Sequence, residues 1–297
     1  MFGTGMQEGP IVALTLTVAL VVSTGCSRNE GASSDTAQAA TEIRGSAGRL
    51  HVDDGGTGGI PVVFVHAYAG DAGQWAAQLE HLRPSRRAVA FDMRGHGRSE
   101  APAQDDYSVA SLSEDIAAVV DGLGMDRFVL VGHSMGGLAA LTYAGRNPER
   151  VAGLVLVGTP GKVPAEQAQQ VMAGLDSNYE MTMASYWSRL QTDAHPGVLE
   201  KLEAGRRVMP RERSMSLIRA LFAHDPVAAI SSYGGPKLAI TTPTDTGPQA
   251  LHTLVPDIGH KVVTGTSHWI QMDKPREFNQ ILDEFLIAIE TRGPGGS

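Results

Sequence analysis

A serine between glycines is the residue most able to do chemistry in this 297-residue sequence. Residues 132–137 read GHSMGG and stand between an apolar run typical of a buried strand and a helical pattern. Such a sharp strand-to-helix turn needs glycine on either side of Ser134, because side chains there would collide. The turn would hold the Ser134 hydroxyl at the head of a helix, where the Met135 N–H and the helix dipole can stabilise an oxyanion. The segment therefore predicts a nucleophilic serine.

The elements that must position this serine alternate between strand and helix. Near-continuous apolar runs, typical of strands buried on both faces of a parallel sheet, occupy residues 60–66, 88–92, 128–132, 151–158 and 237–242. Helical patterns follow at residues 111–123, 136–147 and 274–291. We expect an early antiparallel strand at 49–53 and a last strand at 261–263. The pattern predicts an α/β architecture with a mainly parallel sheet.

Residues 161–236 interrupt the alternation. They are helical in pattern, with stops at several prolines. An insertion at the carboxyl edge of such a sheet lies over the place where ligands bind, so we predict a helical cap at 161–236 on a core formed by 48–160 and 237–297. Methionines and aromatic residues in the cap suggest a hydrophobic substrate group, or simply pack the cap helices on the sheet.

Further segments resemble those of the α/β-hydrolase superfamily over most of residues 48–292. Besides the GHSMGG turn, the matching segments are HAYAG at 66–70, DMRGHGRS at 92–99 and SHW at 267–269 followed by KPREF at 274–278. The resemblance implies an α/β-hydrolase fold with a mostly parallel eight-stranded sheet, flanking helices and a cap. It also implies a catalytic serine, acid and histidine in that chain order.

The resemblance assigns the remaining catalytic roles. His268, past the last predicted strand, would be the base that a serine nucleophile requires. Asp245, after the strand at 237–242, would fix the His268 tautomer and stabilise the imidazolium. Asp257 is the rival acid, but it precedes the last strand and so falls at the wrong edge of the sheet. The backbone N–H of Tyr68 would be the second oxyanion donor beside Met135.

The serine restricts the chemistry. Haloalkane dehalogenases and epoxide hydrolases of this superfamily carry an aspartate at the same turn, whereas this chain carries Ser134. The resemblance therefore implies a serine hydrolase that cleaves small to medium hydrophobic carboxylic esters through an acyl-enzyme. Other serine-triad activities of the superfamily stay open, namely cofactor-free perhydrolase or haloperoxidase, lactonase and C–C hydrolase, as does a non-catalytic hydrolase-fold receptor.

Composition excludes several other classes. Acidic residues outnumber basic ones by 32 to 24, and the resulting net charge of −8 disfavours nucleic-acid binding. The single cysteine, Cys26, excludes an internal disulfide and any cysteine-based zinc or iron–sulfur site. No zinc-protease, Walker A or dinucleotide motif is present, so we expect neither a metal nor a cofactor.

The N-terminus predicts export. Residues 11–22 form an apolar and threonine run, shorter than the roughly 20 residues that span a bilayer but suited to a signal peptide. The run leads into VSTGC at 22–26, which resembles a bacterial lipobox. This implies a signal peptide at 1–25, a lipid on Cys26, and anchorage on the periplasmic or cell-surface side of a bacterial membrane. An ordinary signal peptide, or a misassigned start that leaves the protein cytoplasmic, stays open. Residues 26–47 predict a flexible tether.

Overall fold

A computed structural model describes residues 41–292, which are built around one eight-stranded sheet. Its strands are β1 (Thr41–Gly45), β2 (Gly48–Gly55), β3 (Val62–Val65), β4 (Ala88–Phe91), β5 (Phe128–His133), β6 (Val151–Val157), β7 (Lys237–Thr241) and β8 (Gly259–Val262). They lie side by side in the order β1-β2-β4-β3-β5-β6-β7-β8. β1 and β2 are antiparallel to their neighbours, and the other six strands are parallel. The predicted eight-stranded, mostly parallel sheet is confirmed.

Two helical layers cover the sheet. The helices outside the region between β6 and β7 are α1 (Ala76–Leu82), α2 (Val109–Gly122), α3 (Met135–Arg146), α9 (Leu251–Leu254), α10 (Ile270–Asp273) and α11 (Pro275–Arg292). Alternate residues of β3 point to opposite faces, as strand geometry requires: Val63 packs with α2 and α3, and Phe64 packs with α1 and α11. The central strands are buried on both faces, which explains their continuous apolar sequence.

Five helices lie between β6 and β7: α4 (Ala165–Ser177), α5 (Tyr179–Leu190), α6 (Pro196–Arg207), α7 (Arg211–Ala223) and α8 (Pro226–Ile230). We refer to α4–α8 as the cap. Leu175, Met183 and Trp187 of the cap join the hydrophobic cluster on the α2–α3 side of the sheet. The backbone N–H of His268 donates to the carbonyl of Leu190 at 3.0 Å, so the end of α5 is hydrogen-bonded to the loop after β8.

The tether prediction is wrong where it meets the folded chain. Residues Thr41–Gly45 form β1, which pairs along its whole length with β2. Only Ile43 of this strand is buried, so its sequence carries no apolar alternation, and its order comes from backbone hydrogen bonds to β2. The rest of the predicted tether, the signal peptide and Cys26 fall outside the described residues. No helix in 41–292 has the length and apolarity needed to cross a membrane.

Candidate active site

Ser134 occupies the turn between β5 and α3. Its backbone adopts φ 52° and ψ −112°, a conformation that a residue with a side chain rarely tolerates. A Cβ on Gly132 would lie 2.5 Å from the carbonyl oxygen of Gly136, and a Cβ on Gly136 would lie 2.5 Å from that of Val65. Both glycines are therefore required by close backbone approach, and the turn has the sharp geometry expected from the sequence.

A cavity of about 350 Å³ opens above this turn, between the sheet and the cap. Ser134, Asp245 and His268 all line it, so the three residues assigned to catalysis meet at one site. Most of the remaining wall is apolar and includes Leu190, Leu221, Phe222, Pro160, Pro164 and Val163. The arrangement places one hydroxyl, one imidazole and one carboxylate in a largely apolar pocket.

The His268 ring is enclosed, and within residues 41–292 neither of its nitrogens has a hydrogen-bond partner. Burial lowers its pKa below the ordinary 6.5, and the nearby negative charge of Asp245 opposes that shift. The lowered pKa keeps the imidazole neutral near pH 7. A neutral imidazole is the form that can accept a proton.

Asp245 ends a short 3₁₀ turn (Pro243–Asp245) that follows β7. Its Oδ2 atom accepts hydrogen bonds from the Thr242 hydroxyl at 2.8 Å and from the Thr242 N–H at 3.4 Å. The Asp245 carboxylate thus lies beside His268, but its hydrogen bonds are with Thr242. The rival Asp257 forms an ion pair with Lys237 at 2.5 Å. Because Lys237 begins β7 and Asp245 follows its end, Asp257 lies at the opposite edge of the sheet from Ser134.

The loop after β3 carries the peptide assigned as second oxyanion donor. His66 accepts a hydrogen bond from the Met93 N–H at its Nε2 atom (3.0 Å), so its Nδ1 atom carries the proton and donates to the Ala67 carbonyl at 2.8 Å. Burial lowers the pKa of His66, which keeps this tautomer neutral. The Ala67 carbonyl and the Tyr68 N–H belong to one planar peptide, so His66 fixes the direction of that N–H.

The Tyr68 side chain turns away from the cavity and into the cap. Its hydroxyl is hydrogen-bonded to the buried Ser214 hydroxyl at 2.6 Å, which also accepts from the Tyr179 hydroxyl at 2.7 Å. Its ring lies 5.7 Å from that of Trp187. Through these contacts, the loop after β3 is attached to α5 and α7.

A second set of contacts holds the loop of His268. The His133 Nε2 atom is hydrogen-bonded to the His268 carbonyl at 3.0 Å, and the Gln271 side-chain amide to His133 Nδ1 at 3.0 Å. Trp187 of the cap stacks on Trp269 with ring centroids 5.6 Å apart and planes inclined by 7°. The backbone of His268 is therefore held by the core and the cap together.

The comparisons with known proteins agree with this fold. A family model described as "alpha/beta hydrolase fold" matches residues 60–186, and solved structures are similar over most of the chain. The chain has the α/β-hydrolase fold. A thermophilic esterase from Thermogutta terrifontis has 24% identity and a TM-score of 0.70, covering 84% of this chain and 99% of the esterase.

Two sequence relatives of this chain differ in their named activities. The dihydrolipoyllysine-residue acetyltransferase component of the acetoin cleaving system of Pseudomonas putida is 29% identical over 78% of this chain and 65% of its own length. Epoxide hydrolase 3 of Xenopus tropicalis is 28% identical over 76% of this chain and 71% of its own length. The chain thus spans about two thirds of the length of each of these relatives. The named activities are those of the relatives.

Several residues of this candidate site have no local signal in the sequence. Thr242, which bonds Asp245, and Gln271, which bonds His133, act through partners that only the fold brings close. Arg189 lies near the end of α5, lines the cavity beside His268, and stands in no motif. Among residues 41–292, no three or more His, Cys, Asp or Glu residues are placed to hold a metal ion.

Proposed function

We propose that this α/β hydrolase cleaves carboxylic esters through an acyl-enzyme on Ser134. The observation that carries the proposal is the strained backbone of Ser134 at the floor of a cavity that Asp245 and His268 also line. A strained serine turn, a neutral buried imidazole and a neighbouring carboxylate are the components that acyl transfer needs.

In the acylation step, His268 removes the proton from the Ser134 hydroxyl as the oxygen attacks the ester carbonyl carbon. The carbonyl π electrons move to oxygen, and the resulting oxyanion accepts hydrogen bonds from the N–H groups of Met135 and Tyr68. Collapse of the tetrahedral intermediate breaks the bond to the alkoxy oxygen. His268 returns its proton to that oxygen, and the alcohol leaves.

In the deacylation step, water repeats the same sequence. His268 removes a proton from water as the water oxygen attacks the acyl carbon, and the same two N–H groups stabilise the oxyanion. The bond to the Ser134 oxygen then breaks, and His268 gives the proton back to it. The carboxylic acid is released and the enzyme is restored.

In this mechanism, the Asp245 carboxylate must exchange one hydrogen-bond partner for another. Its Oδ2 atom is bonded to the Thr242 hydroxyl at 2.8 Å, and it must instead accept from Nδ1–H of His268 as the imidazolium forms. The developing positive charge on His268 favours that exchange, because an ionic hydrogen bond is stronger than a bond from a neutral hydroxyl. Catalytic hydrogen bonds often close only when substrate is bound.

The nucleophile supports ester cleavage over epoxide opening. Epoxide hydrolases of this superfamily carry an aspartate at the turn, and an aspartate forms a hydrolysable ester with the opened epoxide. An alkyl ether formed on Ser134 from an epoxide would have no carbonyl for water to attack. An acyl group on Ser134 keeps its carbonyl, so the serine suits acyl substrates.

The test is hydrolysis of p-nitrophenyl esters of short and medium acyl chains by the purified protein. We expect turnover in the wild type and none above the uncatalysed rate in Ser134→Ala, with both proteins folded by circular dichroism. A Ser134→Ala variant with wild-type turnover would refute the mechanism. Ligand binding without turnover in the wild type would favour a receptor.

We also propose that the protein is exported and lipid-anchored through Cys26. The apolar run at 11–22 and the VSTGC segment at 22–26 support this. In a bacterial host, wild type should incorporate labelled fatty acid and enter the detergent phase, whereas Cys26→Ser should do neither. Label in Cys26→Ser equal to that in wild type would contradict lipidation at this residue.

A further inference from the structure

Arg189 is a cation on the wall of the Ser134 cavity. It lies near the C-terminus of α5 and lines both this cavity and a neighbouring one of about 430 Å³ that Asp245 and His268 also border. Its guanidinium carbon is 6.0 Å from the ring centre of Tyr186, which lines the same cavity. Within residues 41–292, no carboxylate oxygen lies within 4.0 Å of its guanidinium.

The other cation of the cavity is already paired. Lys162 also lines the cavity, and its ammonium group lies 3.0 Å from the Asp225 carboxylate. Asp245 is the anion nearest His268, but its charge is partly satisfied by the hydroxyl and N–H of Thr242. In the described part of the cavity wall, Arg189 is thus the cation without a carboxylate partner.

We propose that Arg189 binds a carboxylate carried by the substrate, so that the preferred substrates are anionic esters, such as half-esters of dicarboxylic acids. This inference rests on the proposed ester hydrolysis and names its substrate class. A guanidinium presents a planar fork of N–H donors that matches the two oxygens of a carboxylate. One end of the cavity would hold the carboxylate at Arg189 while Ser134 meets the ester carbonyl.

The surroundings of Arg189 leave its guanidinium accessible to an anionic group. Leu190, Leu221 and Phe222 form an apolar wall of the same cavity, and Arg189 itself is exposed, so an anion that enters from solvent can reach its donors. The positive charge of Arg189 also lowers the pKa of His268, which shows that its field extends to the base. A bound carboxylate would offset this field and favour protonation of His268 during the reaction.

The test compares two esters of equal shape and different charge: mono-p-nitrophenyl glutarate, which ends in a carboxylate, and p-nitrophenyl 5-methylhexanoate, which ends in an isopropyl group. We expect wild type to have the higher kcat/KM on the glutarate ester. Arg189→Met should lower the glutarate-to-methylhexanoate ratio of kcat/KM about tenfold or more, through a higher KM for the glutarate ester. Arg189→Lys should restore part of the ratio, because it keeps the charge but loses the fork.

Two variants serve as controls. Arg207→Met removes an exposed cap arginine that does not line the cavity, and Lys162→Met removes the paired cation that does. Neither should change the ratio more than about twofold, since Arg207 lies outside the cavity and the charge of Lys162 is already paired with Asp225. A change with Lys162→Met as large as that with Arg189→Met would assign the selectivity to a general positive field and overturn the role of Arg189.

The remaining outcomes separate this inference from the proposed function. One outcome overturns the inference alone: the glutarate-to-methylhexanoate ratio of kcat/KM is near one in wild type, Arg189→Met leaves it unchanged, and Ser134→Ala is inactive on both esters. Equal losses on both esters in Arg189→Met would also overturn it, because Arg189 would then act on folding or on His268. Undiminished turnover in Ser134→Ala would refute the proposed function itself.

Discussion

Gly158 offers a way to displace the His268 ring without touching it. This glycine follows β6, has φ +49°, and its N–H is bonded to the Ile240 carbonyl at 2.9 Å. A Cβ added at Gly158 would lie 2.8 Å from Cε1 and 3.0 Å from Nδ1 of His268. Carbon atoms in contact are normally about 3.5–4.0 Å apart, so Gly158→Ala must push the ring and the glycine about 1 Å apart.

Two effects of Gly158→Ala can be separated by size. A displacement of about 1 Å in catalytic geometry costs on the order of 100-fold in rate, so we expect kcat/KM on p-nitrophenyl esters to fall by about that factor. The positive φ costs roughly 1–2 kcal/mol of folding free energy once a Cβ is present. Gly124→Ala is the matched control, since Gly124 has φ +61° and its added Cβ meets nothing within 4 Å.

The assay therefore measures kcat/KM and urea unfolding for the two variants and wild type. Both variants should lose similar unfolding free energy from backbone strain, and Gly158→Ala should lose somewhat more because of the clash. Only Gly158→Ala should lose activity. Wild-type kcat/KM in a folded Gly158→Ala protein would refute the reasoning, because His268 would then act from some other position or not at all.

Three further predictions test the charges of the fold. Asp245→Asn should lower kcat by roughly 10³–10⁴-fold. It should also move the acid limb of the pH profile of kcat/KM to lower pH, because the Asp245 charge raises the pKa of His268. An unmoved limb would contradict the proximity of Asp245 to His268. Burial lowers the pKa of His133, and it lowers that of His96 to about 3. The free energy of unfolding, measured in urea, should therefore decrease as the pH falls from 6.5 towards 3, because the unfolded chain then binds protons that the folded chain does not. A pH-independent stability in this window would count against neutral buried rings. Asp115→Ala should lower the free energy of unfolding, measured in urea, by about 3–5 kcal/mol, because the buried guanidinium of Arg94 loses the carboxylate that lies 2.7 Å from it. A loss below about 1 kcal/mol would mean that the pair is exposed to water.

The parts of the fold with strong local patterns were predictable from sequence. The central strands are continuous apolar runs because helices cover both faces, and the glycines around Ser134 are required by contacts within a single turn. β1 was missed for the opposite reason. Its only buried residue is Ile43, and its pairing with β2 depends on backbone groups that every residue possesses.

The site was predictable as a set of residues but not as a set of contacts. The order of strand ends brings Ser134, Asp245 and His268 to one edge, and chain order alone indicates this. The competition between Thr242 and His268 for Asp245, and the approach of Arg189, depend on side-chain distances across elements. Such distances depend on how the cap packs on the core, and a local periodicity in the sequence does not predict that packing.

The stacked pair of tryptophans gives the molecule an internal spectroscopic reporter. The chain has three tryptophans, and two of them, Trp187 and Trp269, lie face to face across the junction of cap and core. The spectra of an indole depend on the groups packed against its ring, so the near-ultraviolet circular dichroism and the fluorescence of the pair should change if the stack opens. Because Trp269 follows His268 directly, that signal and the fluorescence of the pair follow the seating of the cap on the catalytic loop in unlabelled protein.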